Sequence, residues 1–389
     1  MHPLYEEAKR LIPGGSNLYS KRAELHLPDG WPTYYREAKG IRITDLEGRT
    51  YRDFSGAGVG AAVLGWADPD VDAAVIRAIG AGSTSALLAP EEVELAKLLT
   101  LLHPWAGACR FTRSGGEAMA VAIRIAQAKT GRKNVYHVDS YHGWHVNSPL
   151  DGTRYLQYDV KDNLAAIIIE PGRLDAPDPE VLEMWRKRAD SMGAVLIYDE
   201  ISVGFRSRLG GAHLGFINNY NTAPDLAVFS KAMSNGYPMG AVVGRSEVMA
   251  AAESTFISST AWSERIGPTA AIATIMKMWT EDVFEHTAYI GDLVRKSISY
   301  EAKRANVYVN VLGNSHITHV QFDSMRQQTL YTQLMLERGF LAGLDFYPTY
   351  AHQLEDCEDF AAACREVFPL MKEGGVLRSE VVHTGVPRK

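Results

Sequence analysis

Three short segments of this chain combine residue types that chemistry uses. Lys231 follows the apolar run Leu226-Ala-Val-Phe229 and Ser230, and a glycine-rich stretch, Gly236-Tyr-Pro-Met-Gly240, comes after it. A lysine placed directly after a buried strand is partly desolvated, which lowers its pKa and makes its amine a nucleophile for carbonyl carbons. A solvated loop lysine is the plainer reading. The acid pair Asp199-Glu200 ends a second apolar run, Ala194-Val-Leu-Ile-Tyr198. That puts carboxylates at the carboxyl edge of a sheet, where α/β proteins bind ligands. In the third segment, Cys109-Arg-Phe-Thr-Arg113 leads into Ser114-Gly115-Gly116-Glu117 and a helical pattern. Backbone N–H groups freed by glycine, a hydroxyl and a helix N-terminus form an anion cradle. The same residues also read as an N-cap with a tight turn.

Together the three supply the parts that pyridoxal 5'-phosphate requires: a lysine for its aldehyde, a carboxylate for its ring nitrogen and a helix N-terminus for its phosphate. The chain also carries Ile12-Pro-Gly-Gly15, Tyr141-His-Gly143, Ile169-Glu-Pro171, Asp199-Glu-Ile-Ser-Val-Gly-Phe-Arg206 and Ser258-Ser-Thr260 in sensible order. With these segments it resembles the class III, fold-type I pyridoxal-phosphate aminotransferases over its whole length, and glutamate-1-semialdehyde aminomutase and its aminotransferase relatives in particular.

The resemblance implies roles. Lys231 would form the Schiff base and shuttle a proton, and Asp199 would pair with the pyridinium nitrogen. Tyr141 would stack on one ring face and Ile201 would pack on the other, with His142 bordering the cofactor. Ser114, Gly115 and Gly116 would hold the phosphate, although the family usually has threonine at the Gly116 position. Ser202 stands where the family carries a longer side chain near the ring hydroxyl. Thr260 resembles the threonine that reaches the neighbouring subunit's phosphate, and Ser83 and Thr84 resemble part of the same inter-subunit loop, which implies a homodimer with its site at the interface. For substrate, the family's arginine near Pro-Gly-Gly falls at Lys21-Arg22, with Lys21 the closer match in spacing. Arg173 is a second cation near the site, and Tyr350 and His352 look like a pocket wall.

The elements that must position these residues are legible in the hydrophobic periodicity. Helical patterns cover 70–81, 90–102, 116–129 and 178–192, alternating with strand-like runs at 109–112, 134–138, 165–170, 194–198, 226–229 and 240–244. Such alternation means βαβ units and a mostly parallel sheet, seven-stranded in the family. Helices at 267–278, 283–305, 325–338 and 357–372 surround strands at 307–311 and 316–322. The expected architecture is α/β: residues 56–265 as the large cofactor domain, 266–389 as a smaller α+β domain, and 1–55 packing with the latter.

Composition narrows the rest. The 389 residues are 46% hydrophobic and 22% charged, which is globular material. A net charge of -6 argues against nucleic acid and anionic membrane surfaces as partners. The three cysteines, Cys109, Cys357 and Cys364, suggest reduced thiols. With no apolar run of about 18 residues and no signal-like N-terminus, a soluble cytoplasmic protein is the simplest expectation. Gly56-Ala-Gly-Val-Gly-Ala61 matches a dinucleotide fingerprint, but Gly65 and Pro69 interrupt the helix it should open. His137, His142 and His145 lack a partner acid or cysteine at ligand spacing, so no metal is expected.

The expected activity is transfer of an amino group from a donor such as glutamate to an aldehyde or ketone by a ping-pong Schiff-base mechanism. The alternatives are a 2,1-aminomutase and a non-catalytic member of the fold. Residues 144–167 leave little length for the lid with which a mutase retains its intermediate, which favours exchange and a wide entrance. A bulky polar acceptor, such as a sugar-derived or specialised-metabolite carbonyl, is the corresponding substrate expectation.

Overall fold

The structure, a computed structural model, describes residues 2–138, 141–143, 154–156 (backbone only), 163–175, 178–217 and 222–382. Along the first half lie α1 (Pro3–Leu11), β1 (Tyr35–Lys39), β2 (Arg42–Asp45), β3 (Thr50–Phe54), α2 (Pro69–Gly80), α3 (Pro90–Leu102), β4 (Ala108–Thr112), α4 (Gly115–Thr130), β5 (Asn134–His137), β6 (Arg154–Leu156) and β7 (Leu164–Ile169). There follow α5 (Pro179–Met192), β8 (Val195–Asp199), β9 (Leu226–Phe229), β10 (Gly240–Gly244), α6 (Ile266–Thr280), α7 (Val283–Arg304), β11 (Val309–Asn314), β12 (Ile317–Phe322), α8 (Met325–Glu337), β13 (Phe340–Ala342), β14 (Asp345–Phe346) and α9 (Leu354–Lys372).

The chain forms two compact units. The one that holds the chemistry-bearing segments comprises Gly60–Ala62 and Pro69–Phe284. Its sheet has the order β4-β10-β9-β8-β7-β5-β6. The pairs among β9, β8, β7, β5 and β6 are parallel, whereas β10 runs antiparallel to both β4 and β9. Every residue of β7, β8, β9 and β10 is buried, as the unbroken apolar runs require of strands covered on both faces. The helices start and stop where side chains satisfy their ends. The Ser114 hydroxyl caps α4, which ends at Gly131 in the left-handed region (φ 68). Asp178 caps α5, and Pro179 supplies a first-turn residue that needs no N–H donor. Together with the run of parallel strands, this is the expected α/β architecture, with a mixed central sheet and additional sheets.

Several details differ from the expected pattern, among them the short strands β13 and β14, which the periodicity does not show. β6 is a three-residue strand, too short for alternation to show. α9 begins at Leu354 rather than 357, because Gln353 and Asp356 form a reciprocal cap. α6 packs on α2 and α3 within this unit, where the domain boundary was expected before it.

The other unit comprises Met1–Val59, Val63–Asp68 and Glu285–Lys389. In it β1, β2 and β3 form an antiparallel meander, and β13 joins β3 in parallel. Phe54 anchors its core by stacking on Phe360 at 4.5 Å and Phe346 at 5.4 Å. Between Ala57 and Gly60 the backbone makes a left-handed turn (φ 42, 68, 60 and 83), which is not the strand-to-helix turn of a dinucleotide site. Among the described residues no helix is long and apolar enough to cross a membrane, and no group of side chains has the makings of a metal site.

Candidate active site

Parallel packing of β7 and β8 sets Ile169 opposite Tyr198, so Glu170 and Asp199 emerge side by side at the carboxyl edge of the sheet. β8 also pairs with β9, and Lys231 begins the helical turn just beyond β9. The sheet therefore delivers Glu170, Asp199 and Lys231 to one edge from three neighbouring strands.

Asp199 is fully buried. Its carboxylate accepts the backbone N–H of His142 at 2.7 Å and that of Ile201 at 3.1 Å. His142 Nδ1 lies 3.0 Å from both carboxylate oxygens. Burial alone would raise this carboxyl's pKa, but the imidazole and the N–H donors outweigh it and hold the group below its ordinary value. The other imidazole nitrogen, Nε2, lies 3.0 Å from Lys231 Nζ and 3.1 Å from Ser202 Oγ. Lys231 Nζ donates to Ser202 Oγ at 2.9 Å.

The Lys231 amine is brought down to about 8, chiefly by burial and next by the guanidinium charge of Arg173, against the pull of Asp199 and Glu170. Its backbone lies in the left-handed region (φ 49). Glu170 shifts in the opposite direction: burial and the adjacent Asp199 charge push its carboxyl up, and its Oε1 has no hydrogen-bond partner among the described residues.

The remaining cofactor candidates surround this centre. Tyr141 and Ile201 are buried in one apolar cluster with α4 and β8. A Cβ on Gly115 would meet Ile201 at 2.9 Å, so glycine is what lets the first turn of α4 close over that side chain. Ser114 and Gly116 border a recess of about 350 Å³ that runs along the first turns of α4 to Arg124, with Ser258 and Trp262 on its other side. Thr260, Ser83 and Thr84 are exposed in the same unit.

Four substrate candidates belong to the other unit. Lys21 is exposed, whereas the Arg22 guanidinium lies directly on Gly14 of the Pro-Gly-Gly turn and over the Tyr19 ring at 5.1 Å. Tyr350 packs edge-on against His286 at 5.2 Å. His352 does not present itself as a pocket wall. It is buried, with Nδ1 taking the Thr349 N–H and Nε2 against the Asp53 carbonyl. Residues 144–153 and 157–162, on which the expectation of a short lid rests, and His145 lie outside the described residues.

Sequence reasoning missed the setting of Glu200. Its carboxylate, also fully buried, accepts the N–H groups of Ala212 and His213 and lies 2.6 Å from His213 Nδ1. Trp105 donates its indole N–H to His213 Nε2 at 3.1 Å.

The family model for class III aminotransferases matches residues 28–150 and 145–367. The chain belongs to that family. Among curated proteins it is 30% identical over 407 residues to 3-aminobutyryl-CoA aminotransferase of Cloacimonas acidaminovorans, covering 95% of this chain and 97% of that protein. The internal aldimine form of FumI from Sphingopyxis sp. MTA144 superposes with a TM-score of 0.86 at 24% identity, with 97% of each chain covered. An omega-transaminase from Sphaerobacter thermophilus matches with a TM-score of 0.76 at 25% identity, over 94% of this chain and 96% of that one. As a class III aminotransferase the chain is a pyridoxal-phosphate-dependent transaminase, and its own donor set fits that cofactor. It has a half-buried amine of lowered pKa, a fully buried carboxylate held below its ordinary pKa and a helix N-terminus closed by a glycine where a Cβ would intrude.

Proposed function

We propose that this class III aminotransferase exchanges amino groups between two molecules, taking them from a carboxylate-bearing donor such as glutamate and giving them to an aldehyde or ketone, and is not an aminomutase. In this reading Lys231 binds the cofactor's aldehyde carbon and Asp199 its ring nitrogen. Ser114, Gly115 and Gly116 hold its phosphate, and Tyr141 and Ile201 flank its ring. When bound, the cofactor supplies an electron sink for the carbon that carries the amino group. The chain's own residues do the rest. Asp199 keeps a negative charge at the far end, Lys231 moves protons at Nζ, and Tyr141 and Ile201 exclude water from the faces.

The observation that carries the exchange reading is the likeness to an aminotransferase over 95% of this chain, and a carboxylate-bearing donor draws support from Arg173. Its guanidinium lies close enough to Lys231 to help depress the amine's pKa, and a guanidinium there holds a donor's carboxylate in bidentate fashion. The acceptor class draws support from the 3-aminobutyryl-CoA aminotransferase likeness, a name that places the amine on the carbon β to the carboxyl-derived group. We favour a β- or ω-carbonyl acceptor of that kind over a sugar-derived one. Thr260, Ser83 and Thr84, with the exposed Leu87, Leu88 and Phe256, suit a subunit interface, which makes an isologous homodimer the working unit.

The test is a two-substrate one. With glutamate and a β-carbonyl acceptor, double-reciprocal plots run parallel, 2-oxoglutarate accumulates, and Arg173→Ala raises the KM for glutamate about tenfold or more. Isomerisation of one amino-carbonyl compound without release of keto acid would reverse the reading. Light scattering that finds an active monomer would remove the interface.

A further inference from the structure

We propose that His142, backed by Asp199, is the general base that takes a proton from the Lys231 ammonium when this lysine engages an aldehyde, with Ser202 steering the amine. This rests on the reading of Lys231 as the Schiff-base lysine, and it assigns the residue that makes that lysine reactive.

The tautomer follows from the neighbours. Among the described residues Nδ1 of His142 faces the two oxygens of the Asp199 carboxylate, both at 3.0 Å, so in the neutral ring it is Nδ1 that carries the hydrogen. Nε2 therefore presents its lone pair, and Lys231 Nζ stands 3.0 Å away. Ser202 Oγ closes a triangle, 2.9 Å from Nζ and 3.1 Å from Nε2. A longer residue at 202 would not leave a hydroxyl at this corner. An ammonium held there aims one hydrogen at Ser202 and another at a base. Proton transfer creates an imidazolium, and its charge is met at once by Asp199.

The charged groups facing Lys231 are Arg173 and Arg206, which push the proton off, and Asp199 and Glu170, which hold it on. His142 and Lys231 both face the Glu170 carboxyl in turn. An ordinary lysine at pH 7 is neutral in about one molecule in three thousand, against about one in ten at a pKa of about 8. The base supplies the remaining conversion.

The step balances. One Nζ–H bond breaks, its electron pair stays on nitrogen, and the proton passes to His142 Nε2. That pair forms the Nζ–C bond to the aldehyde carbon. The carbonyl oxygen takes one further hydrogen from Nζ and the proton back from His142, and leaves as water.

The experiment mixes the full chain, freed of cofactor, with pyridoxal 5'-phosphate and follows the growth of the visible band between pH 6 and 9. The wild-type rate rises only gently towards pH 8 and then levels. His142→Gln is slower by up to about tenfold at pH 7, the share of amine that must still lose its proton, and the gap closes above pH 8, where the amine is already neutral. Free imidazole restores His142→Ala by about threefold or more at pH 7, and Ser202→Ala loses less than His142→Gln. Because a base speeds formation and reversal alike, the equilibrium affinity changes far less than the rate; a merely structural role would weaken affinity with little dependence on pH. His142→Gln loading at the wild-type rate across this range, with no rescue by imidazole, would overturn the inference. If borohydride reduction of the wild-type protein leaves no mass on the Lys231 peptide, the proposed function itself falls.

Discussion

Asp199 and Glu200 are consecutive residues, both fully buried and both set against a histidine Nδ1, yet they build opposite kinds of site. The difference lies on the far nitrogen. His213 Nε2 takes the indole N–H of Trp105, a rigid donor that holds no exchangeable charge, and the His103 ring stacks beside it at 5.6 Å. Both carboxylate oxygens of Glu200 and both ring nitrogens of His213 are thus engaged in holding backbone and rings together. His142 Nε2 looks instead at Lys231 and Ser202, side chains that can rotate, donate and be replaced by a ligand. At the carboxyl end of β8 the two consecutive acids meet different neighbours, and what each meets decides which becomes chemistry and which becomes architecture.

The comparison can be broken by substitution. The largest effect belongs to the reactive side: Lys231→Ala leaves the phosphate cradle in place but lowers turnover by on the order of 10⁴ or more, since covalent and general-base contributions go together. Initial rates measured under cofactor saturation check this, and near-normal turnover would refute the assignment. On the closed side, Glu200→Gln leaves a buried N–H donor facing an amide, and the protein loses about 2–4 kcal/mol of stability. Denaturant melts should show that loss, while turnover per cofactor-loaded molecule stays within about tenfold of wild type. A collapse of turnover at full stability would make the Glu200 pair part of the reaction. The smallest effect is that of Trp105→Phe, which removes one neutral hydrogen bond and costs about 1 kcal/mol. Thermal unfolding resolves it, and turnover should hardly move.

The reactive pair was more legible in the sequence than the structural one. Asp199 ends an apolar run, Lys231 follows one after a single serine, and the Ser114-Gly115-Gly116 turn announces itself by glycine and by the helix it opens. The strands of the large sheet other than β6 show as such runs, whereas their order in the sheet is set by packing that no single run reveals. Nothing local links Trp105 to His213, 108 residues apart, because their meeting depends on how the chain returns after Phe205. The Pro-Gly-Gly turn shows the limit of spacing. Counting residues selects Lys21, whereas packing sets Arg22 on Gly14, since only a residue without a side chain admits a guanidinium that close. His352 misled for a related reason: an aromatic, polar segment reads as a pocket wall, and the ring turned inward to satisfy the Thr349 N–H and the Asp53 carbonyl.

The left-handed backbone at Lys231 sets folding and reaction at odds over a single position. A side chain with a Cβ pays about 1 kcal/mol to sit there, a cost that glycine or asparagine would largely escape. Judged only by the ease of reaching its shape, the chain would do better without its lysine. Lys231→Gly should therefore yield a well-folded and inert protein, so that purity, solubility and a sharp melting transition certify nothing about whether a preparation can react.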